Sequence, residues 1–271
     1  MKFLKIDNLT ITDAWTETTL VKDVSLELEK GETLGIIGES GSGKSLTCKA
    51  IAGLNPKHLR TSGEIIFNGI NMNHQSEKAL RQLRGRAIAM IMQQGSRAFD
   101  PSTTVGKQMI EVMRTHTQLT QSEVKETLIT YMSYMALKQP EKLLYTYPHE
   151  LSGGMLQRLM IILALALKPQ LIIADEPTTA LDTITQYEVL EAFAKIKQQF
   201  DCSIIFISHD LTVIQNIADK VAVMKKGAIV EMGPKEVILK QPIHQYTKYL
   251  LTAKKKINDH FKQVLRGASY D

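Results

Sequence analysis

The chain has 271 residues, of which 44% are hydrophobic and 23% are charged, and its net charge is +5. This length and composition predict one large globular domain, or one domain with an inserted subdomain. Two cysteines, Cys48 and Cys202, lack a metal-like spacing and favour a reducing compartment. No apolar run has the length of a membrane span and no signal segment opens the chain, so we expect that it does not cross a membrane. The slight basic excess, without interleaved aromatic residues, does not indicate nucleic-acid binding.

The predicted elements begin with strands and end with strands that alternate with helices. Apolar and polar residues alternate near Phe3–Thr12 and Val24–Glu29, which predicts two strands before the apolar strand Thr33–Gly38 and the helix Lys44–Leu54. Helical periodicity from about Phe99 to Leu167 predicts an inserted helical subdomain. The other predicted elements are the strands Ser62–Gly69, Ala87–Gln93, Leu171–Asp175, Ser203–Ser208 and Val221–Gly227, and the helices Val105–His116, Glu123–Ala136, Ile184–Phe200 and Leu211–Ala218. This alternation favours a parallel α/β sheet.

A glycine-rich loop between the strand Thr33–Gly38 and the following helix carries the most specific motif. GESGSGKS matches the phosphate-binding pattern G-x-x-x-x-G-K-[ST]. Glycines let the backbone surround a phosphate, while free amides and the helix dipole supply positive potential. Lys44 is predicted to reach the β- and γ-phosphates, and Ser45 to hold Mg²⁺. The predicted nucleotide-binding residues of the loop are Gly38, Glu39, Ser40, Gly41, Ser42, Gly43, Lys44 and Ser45.

The segment LIIADEP, Leu171–Pro177, supplies the acidic partner of that loop. Its apolar residues predict a buried strand whose carboxyl end carries Asp175 and Glu176 to the crevice where α/β sheets bind ligands. Asp175 is expected to bind Mg²⁺ directly or through water, and Glu176 to accept a proton from an attacking water. These features predict a nucleoside triphosphate with Mg²⁺, but they leave kinases, GTPases and motor ATPases open.

Two adjacent glycines begin another predicted helix, in the segment LSGGMLQR at Leu151–Arg158. Each costs about 1 kcal/mol relative to alanine inside a helix, so their presence needs a reason. They indicate a second phosphate-binding helix start: the Ser152 hydroxyl can bind a phosphate oxygen, and Gly153 and Gly154 admit it to the backbone amides. Because the chain already has one complete phosphate loop, we expect this one to close over the nucleotide of another subunit.

Together these motifs resemble those of the ATP-binding subunits of ABC transporters over nearly the whole chain. Gln93, after an apolar strand, looks like the Q-loop glutamine, Asp182 in TTALD like the D-loop aspartate, and His209 in ISHD like the switch histidine. Trp15 resembles the aromatic residue that stacks on adenine. The resemblance implies an α/β fold with a RecA-like parallel sheet core, an N-terminal antiparallel β subdomain and an inserted helical subdomain. The implied signature motif toward the partner's nucleotide is Leu151, Ser152, Gly153, Gly154 and Met155.

The resemblance also implies a head-to-tail dimer that holds two ATP molecules, each between Gly38–Ser45 of one subunit and the signature motif of the other. Glu176 and His209 would position and activate water as catalytic residues. Gln93, the third implied catalytic residue, would sense the γ-phosphate and link to the transmembrane partner. ATP and Mg²⁺ are the implied cofactors, and the implied Mg²⁺ contacts are Ser45, Gln93 and Asp175. Since these residues are all present, we expect a catalytically competent subunit.

Met155 stands where the family usually has glutamine, and LSGGMLQR resembles the form found in oligopeptide, dipeptide and nickel importer ATPases. Many of these carry a C-terminal cysteine cluster; no cysteine follows Cys202, so no iron–sulfur cluster is expected. The stretches Met92–Met109, Ala174–Tyr187 and Lys254–Phe261 resemble the D-type ATPase subunits of metal–staphylopine importers. Such a subunit powers uptake of nickel, cobalt, zinc, copper or iron chelates. The resemblance implies a second ATPase as heterodimer partner, two permeases, an extracytoplasmic binding protein and a peripheral position on the cytoplasmic side of the cell membrane.

Two alternatives stay open at this point. Because an ATPase subunit does not touch the cargo, the chain could serve a dipeptide, oligopeptide or free nickel importer. A soluble ABC-type ATPase acting on nucleic acid or ribosomes is more distant, since such proteins usually carry two cassettes or a long coiled coil. We expect residues 1–250 to form the nucleotide-binding domain, with the helical subdomain at about 99–167, and residues 251–271 to form a basic helical tail. The histidines show no metal-binding spacing.

Overall fold

A computed structural model of the protein describes residues 2–179 and 181–253, without the side chains of residues 196, 198 and 200. The stretch Lys254–Phe261 and most of the expected tail therefore lie outside the described residues. None of the described helices is long and apolar enough to cross a membrane.

A six-stranded sheet forms the centre of the fold. Its strands are β3 (Thr33–Gly38), β6 (Ile88–Ile91), β7 (Leu171–Asp175), β8 (Ser203–Ile207), β9 (Lys220–Lys225) and β10 (Ala228–Pro234). Their spatial order is β10-β9-β3-β8-β7-β6, with parallel pairing everywhere except between β10 and β9. Because parallel strands end at the same edge, the segments after β3, β6, β7 and β8 come together there. These segments carry the phosphate loop, Gln93, Glu176 and His209.

A smaller antiparallel sheet covers one face of the central sheet. Its strands are β1 (Leu4–Asp13), β2 (Thr19–Leu28), β4 (Leu59–Phe67) and β5 (Ile70–Asn71), in the order β2-β1-β4-β5. The strand predicted at Val24–Glu29 begins earlier than expected, at Thr19. Register shifts in the pairing of β1 with β2 interrupt the alternation of apolar and polar residues, which explains the missed start.

The helices are α1 (Lys44–Ile51), α2 (Glu77–Leu83), α3 (Val105–His116), α4 (Gln121–Tyr134), α5 (Pro140–Leu143), α6 (Gly153–Ala166), α7 (Thr183–Phe200), α8 (Leu211–Ile217) and α9 (Lys235–Lys240), and residues 245–253 are helical too. Helix α4 begins two residues before the predicted Glu123, because Thr120 and Glu123 form a capping box, and a left-handed Ala136 follows its end. The predicted helix Lys44–Leu54 ends at Ile51 before a left-handed Gly53.

Two buried clusters hold the layers together. One lies between the smaller sheet and the central sheet, and the other lies between the central sheet and the helices, including α3, α4 and α6. Strand β8 divides its side chains between them, with Ile205 and Ile207 in the first cluster and Ile204 and Phe206 in the second. This alternation is typical of a strand buried on both faces. The predicted α/β class, with a parallel core, an antiparallel N-terminal sheet and inserted helices, is confirmed.

Candidate nucleotide site

The loop between β3 and α1 has a backbone that only glycine adopts easily. Gly38, Gly41 and Gly43 have φ values of 155°, 75° and 99°. A Cβ on Gly38 would lie 2.3 Å from the Met224 carbonyl oxygen. The loop therefore has no room for side chains at its base, and helix α1 begins at Lys44 without a side-chain cap. Backbone amides at such an uncapped helix start are free to bind an anion.

The ammonium group of Lys44 lies inside this loop, against its backbone. Its Nζ donates hydrogen bonds to the carbonyl oxygens of Gly38 at 3.0 Å and Glu39 at 2.8 Å, and lies 3.5 Å from Ser42 Oγ. Burial lowers the pKa of Lys44, and the charges of Glu176 and Asp175 oppose that shift. A cation held out of water in this way would be stabilised by an anion in the loop.

Asp175, at the end of β7, faces the start of α1. Its side chain is buried, with the residue 7% exposed, and its Oδ1 accepts a hydrogen bond from the Ser45 hydroxyl at 3.0 Å. Burial raises the pKa of the Asp175 carboxyl; the Ser45 hydrogen bond opposes the shift and the Glu176 charge adds to it. A hydroxyl and a carboxylate whose charge is poorly compensated are hard oxygen donors that fit Mg²⁺.

Glu176 is the centre of a polar cluster of four side chains, which come from the three segments after β6, β7 and β8. Its Oε2 accepts a hydrogen bond from Gln93 Nε2 at 2.9 Å and one from Thr179 Oγ1 at 3.3 Å, and lies 3.4 Å from His209 Nδ1. Its Oε1 accepts no hydrogen bond from any described residue. The backbone of Glu176 has a positive φ of 48°, and its N–H donates to the Ile207 carbonyl oxygen. The carboxylate is thus oriented through one oxygen while the other remains available to a water.

The signature segment lies exposed at the start of α6. Ser152 caps this helix, and its Oγ accepts the Met155 N–H at 3.3 Å, so the hydroxyl proton can still be donated to an anion. A Cβ atom on Gly153 would have no neighbouring heavy atom within 4 Å, so the start of the helix is open. Among the described residues no hydrogen bond or ion pair joins Ser152, Gly153 or Gly154 to the loop Gly38–Ser45. Leu151 and Met155 pack against the core cluster at the base of the segment.

Trp15 and Asp182 lie apart from the Glu176 cluster. Trp15 is 78% exposed, and its ring stacks on His58 with a centroid distance of 4.0 Å and an interplanar angle of 8°. Asp182 caps α7 by accepting hydrogen bonds from the N–H and hydroxyl of Thr185, which lower the pKa of its carboxyl. The structure therefore brings Gln93, Glu176 and His209 into contact and leaves Trp15 and Asp182 at the surface.

Two residues of the site were missed by the sequence analysis. Gln157 lies about one turn after the signature glycines and is 1% exposed. Its Oε1 accepts the Gly95 N–H at 2.6 Å, and its Nε2 donates to the carbonyl oxygens of Pro177 at 2.9 Å and Met92 at 3.2 Å. It thus joins α6 to the segments that carry Gln93 and Glu176. A polar residue on the buried face of an apolar helix was the signal available in the sequence.

Tyr246, the second missed residue, lies in the helix 245–253. Its hydroxyl accepts the Glu39 N–H at 3.2 Å, so this helix packs directly against the phosphate loop. The ammonium of Lys225 lies 4.6 Å from the centre of the Tyr246 ring, an arrangement that holds the ring in place. Nothing in the local pattern around Tyr246 indicates this contact, which joins residues 207 positions apart.

Comparison with known proteins agrees with this geometry. Residues 21–179 match the family model described as ABC transporter. The chain is 65% identical, over its whole length and that of the relative, to the metal-staphylopine import system ATP-binding protein CntD of Staphylococcus aureus (strain NCTC 8325 / PS 47). It is 44% identical to the oligopeptide transport ATP-binding protein OppD of Bacillus subtilis (strain 168), with 88% of this chain and 67% of that protein covered.

Among solved structures, the dimeric post-hydrolysis state of an ATP-binding cassette bound to ADP and Pi is similar, with a TM-score of 0.78 and 25% identity over 86% of this chain and 98% of that one. The family model covers the phosphate loop, the signature segment and the strand before Glu176. The chain belongs to the family of ABC transporter ATP-binding subunits, which bind ATP and hydrolyse it to drive transport.

Proposed function

We propose that this chain powers import of metal–staphylopine chelates by hydrolysing ATP at the site around Lys44, Asp175 and Glu176. The ATP phosphates would lie in the loop Gly38–Ser45, where open amides and the Lys44 ammonium supply positive charge. Trp15 presents the exposed face of its ring to solvent and is the aromatic surface proposed for the adenine.

Mg²⁺ is the second proposed occupant of the site. The Ser45 hydroxyl, the Asp175 carboxylate and the Gln93 side-chain carbonyl are the oxygen donors proposed to hold it. When bound, the ion would supply positive charge that offsets the negative charge of the phosphates. The buried carboxyl of Asp175 supports this assignment, because a nearby cation offsets the cost of keeping its charge out of water.

Glu176 is proposed as the general base. Hydrogen bonds from Gln93 and Thr179 orient one of its oxygens, and the other can take the proton of a water aimed at the γ-phosphate. His209, 3.4 Å from the same carboxylate, would help to hold that water and the phosphate. This cluster of contacts is the observation that carries the proposed hydrolysis.

The signature segment is proposed to act on the nucleotide of a second ATPase subunit. Its residues Ser152 and Gly153 are exposed at the start of a 14-residue helix, and among the described residues no hydrogen bond or ion pair joins the segment to the chain's own phosphate loop. The similar cassette bound to ADP and Pi is dimeric. We propose a heterodimer with a second, homologous ATPase, in which Asp182 lies near the subunit boundary.

A permease pair is proposed to dock beside Gln93. A groove of about 250 Å³ lies there between strand β6 and the helices α3 and α6, and its lining includes Leu54, Met92, Val112 and Leu163. Leu54 and Met92 are exposed although both are apolar. Met92 directly precedes Gln93, so a helix seated in the groove would act on the residue that holds Glu176. The resulting complex would include two permeases and an extracytoplasmic binding protein, with this chain peripheral on the cytoplasmic side; nucleic acid is not a proposed partner.

The cargo assignment rests on similarity rather than on the site. Identity of 65% over both full lengths to a metal–staphylopine import subunit supports it, against 44% for an oligopeptide and 41% for a dipeptide transport subunit of Bacillus subtilis. Peptide or free nickel import is the competing assignment. The ATP site is the same in each case, so the cargo must be tested on the whole complex.

The test is ATP hydrolysis by the complete transporter in liposomes, with its binding protein and each candidate cargo in turn. We expect stimulation by a metal-loaded staphylopine-type chelate, and none by short peptides, bare nickel or the metal-free chelator. A complex with Lys44→Ala in this chain serves as the control, since it folds around the same groove but lacks the phosphate-loop ammonium. Stimulation by peptides alone would contradict the cargo assignment and leave the ATPase assignment standing.

A further inference from the structure

Two adjoining depressions, each of about 530 Å³, lie beside helix α3 and share its residue Thr115 in their lining. Two acidic side chains, Glu77 and Glu111, and six cationic ones line them. We call this surface the basic face; its cationic residues are Lys78, Arg81, Arg86, Lys107, Arg114 and Lys125. Its excess of four positive charges is large beside the net charge of +5 for the whole chain.

The cations of the basic face are largely uncompensated. Glu77 forms ion pairs with Arg81 at 3.1 Å and with Arg84 at 2.8 Å. Its negative charge is therefore already compensated and does little to offset the remaining cations of the face. Five of the six cations make no ion pair with any residue in the described parts of the chain: Lys78, Arg86, Lys107, Arg114 and Lys125.

Two cations of the basic face lie on one side of helix α3. Lys107 and Arg114 are seven residues apart on α3 and so lie on the same side of that helix, opposite the buried Met109 and Met113. The positive potential reaches the end of α3, where burial and then the charge of Arg86 lower the pKa of His116.

The basic face adjoins the apolar groove that contains Met92. Gly85 lines the groove, and His116 lines the basic face. The two residues are in contact: Gly85 has a φ of +82°, and a Cβ there would lie 2.6 Å from His116 Nε2. Any body seated in the groove therefore has the basic face directly beside it.

An exposed aromatic ring accompanies the charges. Tyr145 is 69% exposed and lines the same depression as Lys125, whose Nζ lies 5.8 Å from the ring centre. Tyrosine with lysine and arginine is the composition typical of protein surfaces at the membrane–water interface. The cations are spread over α2, α3, α4 and the turn after α2 and are not gathered in one pocket, which suits a layer of phosphate groups better than a single anion.

We propose that the basic face lies against the anionic phospholipid headgroups of the membrane, beside the permease. Its orientation toward the bilayer rests on the proposed permease docking in the adjoining groove. The affinity for lipid phosphate is a property of this chain's own side chains. The face would then add to the attachment of the subunit and limit how it tilts on the permease.

Binding of the full chain to vesicles tests this directly, without permease or cargo. Wild-type protein is floated with vesicles of phosphatidylglycerol and phosphatidylcholine, or of phosphatidylcholine alone. Each lysine or arginine near an anionic surface contributes about 1 kcal/mol, so loss of two is expected to weaken partitioning about 30-fold. We expect this loss for Lys107→Gln/Arg114→Gln and retention for the control Lys22→Gln/Lys195→Gln, which removes the same charge from exposed sites elsewhere.

Three results would overturn the proposal. One is equal loss in both double variants, which would mean that net charge alone drives binding. Another is wild-type binding that is unaffected by phosphatidylglycerol. The third is loss only with Lys255→Gln/Lys256→Gln, in the stretch outside the described residues, which would assign binding to that stretch. Stabilisation of each variant by Mg²⁺ and ATP, measured by thermal unfolding, reports the nucleotide site separately, so failure of the two proposals can be told apart.

Discussion

Replacing Gln157 by leucine should lower the free energy of unfolding strongly, because the replacement removes the hydrogen bonds of a buried side chain. The side chain is 1% exposed and makes three hydrogen bonds, two of them buried, to Gly95 N–H and the Pro177 carbonyl oxygen. Each bond contributes about 1 kcal/mol net, and leaving a buried partner unsatisfied costs about 1–3 kcal/mol. The expected loss is therefore about 3 kcal/mol, or a fall in Tm of about 6–12 °C for a chain of this size.

Gln108 provides a matched control for this measurement. Its side chain also makes three hydrogen bonds, to the Asp100 N–H at 2.8 Å and to the carbonyl oxygens of Asp100 and Thr103 at 2.9 and 2.8 Å. Two of these bonds are exposed to water, so Gln108→Leu should cost only about 1 kcal/mol. Thermal and urea unfolding of the nucleotide-free proteins compare the two variants. Equal losses, or a change below about 0.5 kcal/mol for Gln157→Leu, would refute the account of the buried bonds.

Gln157→Leu should also affect catalysis, because its partners Met92 and Pro177 are next to Gln93 and Glu176. A displaced general base lowers the rate of the chemical step, by up to about 100-fold for a shift near 1 Å, without removing phosphate contacts. We therefore expect kcat of the reconstituted complex to fall while KM for ATP stays within about twofold. A rise in KM at unchanged kcat would instead assign Gln157 to nucleotide binding.

The remaining predictions concern the other parts of the site. Asp175→Asn should raise the stability of the nucleotide-free protein at pH 7 by on the order of 1 kcal/mol, because it removes a buried charge. Since the pKa of Asp175 is raised on folding, this gain should vanish as the pH falls below the usual aspartate value; a gain that persists at low pH in thermal unfolding would contradict it. Gly153→Ala should leave the Tm unchanged, since a Cβ there has open space, yet weaken ATP-driven dimerisation in size-exclusion measurements, whereas Gly95→Ala, with a Cβ 2.5 Å from the Gln157 backbone, should lower the Tm. Trp15→Ala should raise KM for ATP about 5- to 150-fold, the range of about 1–3 kcal/mol for base stacking, with kcat retained; an unchanged KM would exclude adenine stacking.

The parts of the site that the sequence predicts are those built from contiguous residues. The loop Gly38–Ser45 lies between a strand and a helix because apolar residues precede it and helix formers follow. Asp175 and Glu176 follow a run of buried β residues in the same way. Because the strands are parallel, both segments must then lie at the same edge of the sheet, so their proximity follows from the predicted fold alone.

The parts that the sequence does not predict depend on contacts between distant segments. Gln157 reaches Gly95 across 62 positions, and Tyr246 reaches Glu39 across 207. Helix α2 was missed because Leu80 is its one buried residue, so no apolar periodicity marks it. Strand β10 was missed because it lies at the sheet edge with half-buried side chains, which give little alternation.

The most direct test of the proposed mechanism is ATP hydrolysis by the reconstituted transporter that carries Glu176→Gln in this chain, with ATP binding measured on the same samples. Glutamine preserves the shape of the cluster with Gln93 and His209 but cannot take a proton. A general base contributes about 100- to 10,000-fold, so we expect hydrolysis at this site to fall by that factor while ATP binds and the two ATPase subunits remain associated. Hydrolysis at the wild-type rate would contradict the assignment of Glu176 as the general base.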